Sequence, residues 1–226
     1  YYGRALRWAV MLRPIHPRPN MWNLFTATAI GFTAIVLLGR PGELVRPYMI
    51  SVKERVPFSS QLGAWFLERV CDLLAVLLVF GLSLSQVRTS RAKVGPGLEW
   101  VLQTGGYLAG SIVAVCLVVL IVLRQFSDQM RRRLLEALGF LSSHHFQKVE
   151  RIVTAFVEGV GATKSHAGVL LLVFYTLLEW VLIILCTFTL LKAYPGTAAF
   201  RLEDVLIFVG FVSFGNVVQI PGVGGG

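Results

Sequence analysis

The chain has 226 residues, 55% of them hydrophobic and 15% charged, with a formal net charge of +9 and a mean hydropathy of +0.70. So apolar a composition excludes a disordered chain and points to a bilayer as the solvent. The basic residues stand between long apolar runs, where they read as topology signals and lipid-headgroup contacts, so nucleic acid is not an expected partner. Cys71, Cys116 and Cys186 each sit in an apolar stretch and share no short spacing, which points away from a disulfide framework, a metal knuckle or redox chemistry.

In chain order, Tyr1 to Leu12 is expected to be the tail of a further helix, with Trp8 and the neighbouring arginines at the membrane interface. The chain opens on Tyr1 and closes on Gly224, Gly225 and Gly226 inside a motif, so residues 1–226 are expected to be a single integral membrane domain, a fragment truncated at both ends. Crossing the hydrocarbon core takes about 20 apolar residues. Five runs approach that length: Trp22 to Leu38, Leu62 to Leu84, Gly105 to Leu123, Gly168 to Leu191 and Val205 to Ile220. The fifth is short and passes through Asn216 and Gln219 into a Pro-Gly cluster. It therefore reads as a broken or re-entrant segment, which the bilayer tolerates only where protein or a wet cavity surrounds it.

Between the third and fourth runs, residues 124–167 predict an amphipathic helical hairpin lying on the membrane surface or against the bundle. Val149, Ile152, Val153, Phe156, Val157 and Val160 recur at helical spacing, and Leu134, Leu135, Leu138 and Leu141 suggest a shorter helix after Arg131, Arg132 and Arg133. If each of the five runs crosses once, one side receives Arg40, Arg46, Lys53, Arg55 and seven basic residues of the hairpin region, while the other receives nine. That excess favours a cytoplasmic hairpin.

Three clusters could carry chemistry. In the segment Gly39-Arg40-Pro41-Gly42-Glu43-Leu44-Val45-Arg46, glycines allow close backbone approach, and a helix starting after Pro41 would aim its positive end at an anion. Arg40 and Arg46 could clamp a phosphate there. The plain reading is a polar interfacial turn with Glu43 paired to Arg40 or Arg46. In the second run, Glu68, Arg69 and Asp72 have the spacing of a local ion network. Glu179 stands alone near the middle of the fourth run, so it either pairs across helices, with Arg69 or Arg46, or is protonated. In the third cluster an apolar helix runs into Pro221, Gly222, Gly224 and Gly225, echoing the first. Two interrupted segments of this kind mark a midplane binding site in a transporter built of repeats.

Taken in order, GRPGELVRPYMISVKERVPFS, ERVCDLLAVLL and IPGVGGG, with ALRWAVMLRP at the start, resemble the lysylphosphatidylglycerol synthase transmembrane region, a flippase-like family of polytopic membrane proteins. The family's G-R-x-G-E-x-x-R pattern falls on Gly39, Arg40, Gly42, Glu43 and Arg46, and its E-R-x-x-D pattern on Glu68, Arg69 and Asp72. Its late P-G-G-x-G pattern falls in part on Pro221, Gly222, Gly224 and Gly225, with Val223 at a usual glycine position; Leu38 stands where a proline often precedes the first motif.

The resemblance implies an all-α, polytopic transmembrane bundle with broken Gly/Pro-rich half-helices, in the inner cell membrane, that moves aminoacylated or other polar phospholipids between leaflets. In the aminoacyl-lipid synthases the transfer chemistry belongs to a separate soluble domain, so this chain is not expected to be an enzyme, and no cofactor is expected. Gly39, Arg40, Gly42, Arg46, Pro221, Gly222, Gly224 and Gly225 would bind the lipid phosphate, while Glu43, Glu68, Arg69, Asp72 and Glu179 would line a polar cavity. The alternative is a non-catalytic anchor or accessory subunit of a lipid- or glycolipid-synthesis complex, with homo-oligomerisation or such a complex supplying the protein partner. An intramembrane lipid-carrier transferase ranks last. It would need clustered carboxylates around a metal, whereas Asp72, Asp128 and Asp204 lie far apart, and His144 and His145 have no third ligand at metal spacing.

Overall fold

A computed structural model describes residues 1–89, 96–125 and 143–217, and there the chain is all helical. The α-helices are α1 (Tyr2–Leu12), α2 (Met21–Leu38), α3 (Val45–Glu54), α4 (Phe58–Thr89), α5 (Pro96–Gln125), α6 (Ser143–Gly159), α7 (His166–Lys192) and α8 (Leu202–Val217). Short 3-10 turns at Arg40–Leu44 and Gly161–Lys164 join α2 to α3 and follow α6, and no strand occurs among the described residues.

Three of the apolar runs become helices long and apolar enough to cross a membrane: Met21–Leu38, Thr104–Val122 and His166–Lys192. Only 11% of the last window is buried, so most of its leucines, valines and phenylalanines face outward, as on a helix solvated by lipid. The second run lies in α4, whose 32 residues reach about 48 Å at 1.5 Å per residue, more than one bilayer core. The fifth run is described as far as Val217. Its continuation, Pro221, Gly222, Gly224 and Gly225 included, lies outside the described residues, as do Leu134 to Leu141 and the Arg131 to Arg133 triplet.

The chain divides into two compact units. One holds Tyr1–Arg69 and the described part of Val119–Tyr175; the other holds the described parts of Val70–Val118 and Thr176–Gly225. In the first, α2 begins on Asn20, whose side-chain oxygen accepts the Trp22 and Asn23 amides at 2.9 and 3.4 Å, an N-cap that satisfies otherwise orphaned donors. Thr28 inside α2 returns its hydroxyl to the Leu24 carbonyl at 2.7 Å, so this polar side chain needs no water. The amphipathic helix foreseen around Phe156 exists as α6. It packs against α4 through the Phe66 and Phe156 rings, 6.3 Å apart, and Gly159 lies so close to Ser60 that a β-carbon would overlap its carbonyl.

In the second unit, Leu77, Phe80 and Ala109 form a buried cluster flanked by Phe211 and Phe214, and the Phe80 and Phe214 rings stack at 4.2 Å. Val79, Val205 and Val209 form another with Trp180, Ile184 and Phe188 around them. Ser83 is fully buried, and its hydroxyl lies 2.7 Å from both the Val79 and Leu206 carbonyls, tying α8 to α4 where no water is available to compete.

α1 departs from expectation. Arg7 and Trp8, expected at the interface, are both 0% exposed. Their burial has a cause in the site described next.

Candidate functional site

α2 ends at Gly39, which takes φ +69°, a conformation L side chains rarely adopt, and its amide closes the helix on the Ile35 carbonyl at 2.8 Å. One 3-10 turn follows, with Pro41 near its start and the Gly42 amide donating to the Gly39 carbonyl at 3.0 Å. Gly42 is pressed onto the backbone of α2, where a β-carbon would overlap the Ala34 carbonyl. α3 then begins at Val45 and lays Arg46 across Gly31, where an added β-carbon would come within 2.6 Å of the Arg46 β-carbon. A glycine on each arm thus fixes how closely the Arg46 backbone approaches α2.

The Arg46 side chain runs inward, and the residue is 5% exposed. Its guanidinium carbon lies 4.1 Å from the centroid of the Trp8 ring, within cation–π range, and its Nη2 pairs with Oε2 of Glu68. Glu68, 1% exposed, uses its other oxygen, Oε1, to accept from Arg7 Nη2 at 2.5 Å. One carboxylate therefore binds two buried guanidiniums, one on each oxygen, an arrangement that offsets the desolvation cost of each charge. Trp8 is held in turn by donating its indole N–H to Gln61 Oε1 at 3.0 Å. These contacts are why α1 is buried on this side.

Gly31, Phe32, Ile35, Glu43, Arg46, Trp65 and Arg69 line a small open recess. Arg69 Nη2 lies 3.9 Å from Glu68 Oε2, and its side chain keeps 41% of its surface exposed. Phe32 stands between two cations, with the Arg4 guanidinium carbon 4.3 Å from its centroid and that of Arg46 5.9 Å away. The recess therefore offers a guanidinium wall, a carboxylate at Glu43 and aromatic and aliphatic surfaces. That combination suits the anionic group of an amphiphile whose remainder is apolar.

Of the residues singled out in the sequence, the structure gathers Gly39, Gly42, Glu43, Arg46, Glu68 and Arg69 in the first unit. Arg46 pairs with Glu68 rather than with the nearby Glu43. Asp72, one turn beyond Arg69 on α4, and Glu179, half-buried within α7, belong to the second unit. The Arg40 side chain lies outside the described residues, as do Pro221, Gly222, Gly224 and Gly225. Sequence reasoning missed Arg7, Trp8, Gln61, Gly31 and Trp65 as parts of this site. For Arg7 a signal was present: an ionisable residue flanked by Ala5, Leu6, Ala9 and Val10 is a suspect wherever the helix is buried.

A family model described as "Lysylphosphatidylglycerol synthase TM region" matches residues 1–225. Comparisons with curated proteins and with solved structures found no match.

Proposed function

Since the chain belongs to the lysylphosphatidylglycerol synthase transmembrane-region family, we propose that this membrane protein moves a polar phospholipid, or a related lipid, between the leaflets of the inner cell membrane. The observation that carries the reading is the Arg46 guanidinium, fixed between Trp8 and Glu68 at the wall of a recess that also presents Arg69. A lipid phosphate entering the recess would meet Arg69 and the edge of Arg46, two planar donors suited to its oxygens. Phe32, Ile35 and Trp65 would face the glycerol and proximal acyl carbons. Glu68 acts behind this surface by orienting Arg46, and Arg7 holds the Glu68 carboxylate in place.

In this reading no covalent bond is made or broken, and aminoacyl transfer, where a relative performs it, belongs to another domain. The test is leaflet exchange of fluorescent anionic and aminoacylated phospholipids in liposomes holding the full-length protein. Exchange above that of empty liposomes, reduced at least tenfold by Arg69→Gln, is the expected result. Folded protein that exchanges no lipid would contradict the proposal and favour an accessory role in a lipid-synthesis complex.

A further inference from the structure

We infer that the segment Arg40–Glu54, which hydropathy reads as a polar loop, crosses the membrane back alongside α2 as a broken arm. Its flanking turns at Pro17–Asn20 and Arg55–Pro57 then share one face, and Arg46 sits near mid-depth. Contacts between the arm and α2 follow one another in antiparallel order along the whole of α2. Gly42 meets Ala34 at the far end, and Arg46 meets Gly31 in the middle. Lys53 Nζ then donates to Thr26 Oγ1 at 2.8 Å. At the near end Glu54 accepts the Asn23 side-chain amide at 2.7 Å and the Asn20 backbone amide at 3.1 Å. The arm thus starts where α2 ends and ends where α2 starts.

Length agrees. Five residues of 3-10 helix and ten of α-helix rise about 25 Å, against about 27 Å for the eighteen residues of α2. If α2 spans, as its length and apolarity allow, the arm spans the same depth. Gly31, the eleventh residue of α2, puts Arg46 within the middle third of that depth.

The arm turns two charged side chains inward and an apolar stripe outward. Its buried positions are Arg46, Pro47, Ile50 and Glu54, so both charged residues of the set turn inward, whereas Leu44, Tyr48 and Val52, one turn apart, are 44%, 58% and 58% exposed. An outward apolar stripe, with the ionisable residues Arg46 and Glu54 turned inward onto partners, is the arrangement lipid selects, because ionisable groups within a bilayer must turn toward protein.

The crossing is also compatible with the charge asymmetry, Arg4 and Arg7 being left out of the count as parts of α1. With the arm counted, and each remaining run crossing once, Arg13, Arg18, Lys53, Arg55 and the seven basic residues of residues 124–164 fall on one side, eleven in all. The other side has Arg40, Arg88, Arg91, Lys93, Lys192 and Arg201, six in all. Counted the same way, without Arg4 and Arg7, the arm as a loop gives eleven against seven, so the crossing keeps the positive-inside bias, and it places the Pro17–Asn20 turn on the same side as residues 124–164.

The test is labelling of single cysteines in the full-length protein in intact cells, with Cys71, Cys116 and Cys186 replaced by serine. Arg18→Cys and Pro57→Cys should both be protected from a membrane-impermeant maleimide until the cells are permeabilised, and Pro41→Cys should react without permeabilisation. A second pair, Arg13→Cys and Arg55→Cys, reads the same two turns should either of the first variants fail to fold. Labelling of positions 18 and 57 from opposite sides, or of 18 and 41 from the same side, would overturn the inference.

Discussion

Replacing Glu68 by alanine tests whether one buried carboxylate organises the site. The Glu68 side chain is 0% exposed and binds two guanidiniums whose own side chains are 1% and 6% exposed. Removing one partner of a buried ion pair typically costs about 3–5 kcal/mol, because the remaining charge is still desolvated. At about 2–4 °C per kcal/mol for a chain of this size, the melting temperature should fall by about 6–20 °C. Glu68→Gln keeps an acceptor but not the charge, and its fall should be smaller. Removing all three charges together, with Arg7→Met, Arg46→Met and Glu68→Leu, should restore part of the loss, since no buried ion would then lack its counter-ion. The assay is a thermal melt of detergent-solubilised full-length protein, scored by the folded fraction on size exclusion. A Glu68→Ala protein that melts within about 1 °C of the parent would refute the reasoning, as would a triple variant less stable than Glu68→Ala.

Other outcomes follow from single contacts. Gly42→Ala should sharply reduce the yield of folded protein, because its β-carbon overlaps the Ala34 carbonyl in backbone that cannot give way, whereas Gly3→Ala, with nothing within 4 Å, should leave yield unchanged. Asn20→Ala removes the cap of α2 and should cost about 1 kcal/mol, read as a small fall in Tm. Gly210→Ala should destabilise the second unit by driving a methyl into the Ser83 side chain, and expression of the Gly210→Ala protein beside Gly81→Ala, whose position is open, checks this directly.

What the sequence makes legible is what depends on local pattern. The apolar runs Trp22 to Leu38, Gly105 to Leu123 and Gly168 to Leu191 fall in helices long and apolar enough to cross a membrane, and the helical period around Phe156 becomes α6, since each is set by burial or exposure of residues near one another in the chain. Gly39, Gly42 and Arg46 stand out in the sequence because glycine, proline and arginine together are costly in an apolar context and need a reason. The partner of Arg46 was not legible. Glu68 lies one residue from Arg69 and four from Asp72, so spacing assigns it to a local network, but the fold turns it toward Arg7, 61 residues away, and Arg46. Pairing across elements leaves no periodic mark. On the arm, averaging Arg46, Lys53 and Glu54 into a hydropathy window hides the outward stripe of Leu44, Tyr48 and Val52 for a related reason. Residue type alone assigns Arg7 and Trp8 to the interface, and the contact with Gln61, far along the chain, takes Trp8 inside.

The most direct test of the headgroup site is photocrosslinking during transport. Liposomes containing the full-length protein and an anionic phospholipid with a photoreactive group beside its phosphate would be illuminated and the adducts mapped by mass spectrometry. Adducts concentrated on Phe32, Ile35 and Trp65, and lost in Arg69→Gln, are the predicted result. Adducts spread along the outward faces of α5 and α7, unchanged by Arg69→Gln, would contradict a lipid site in this recess.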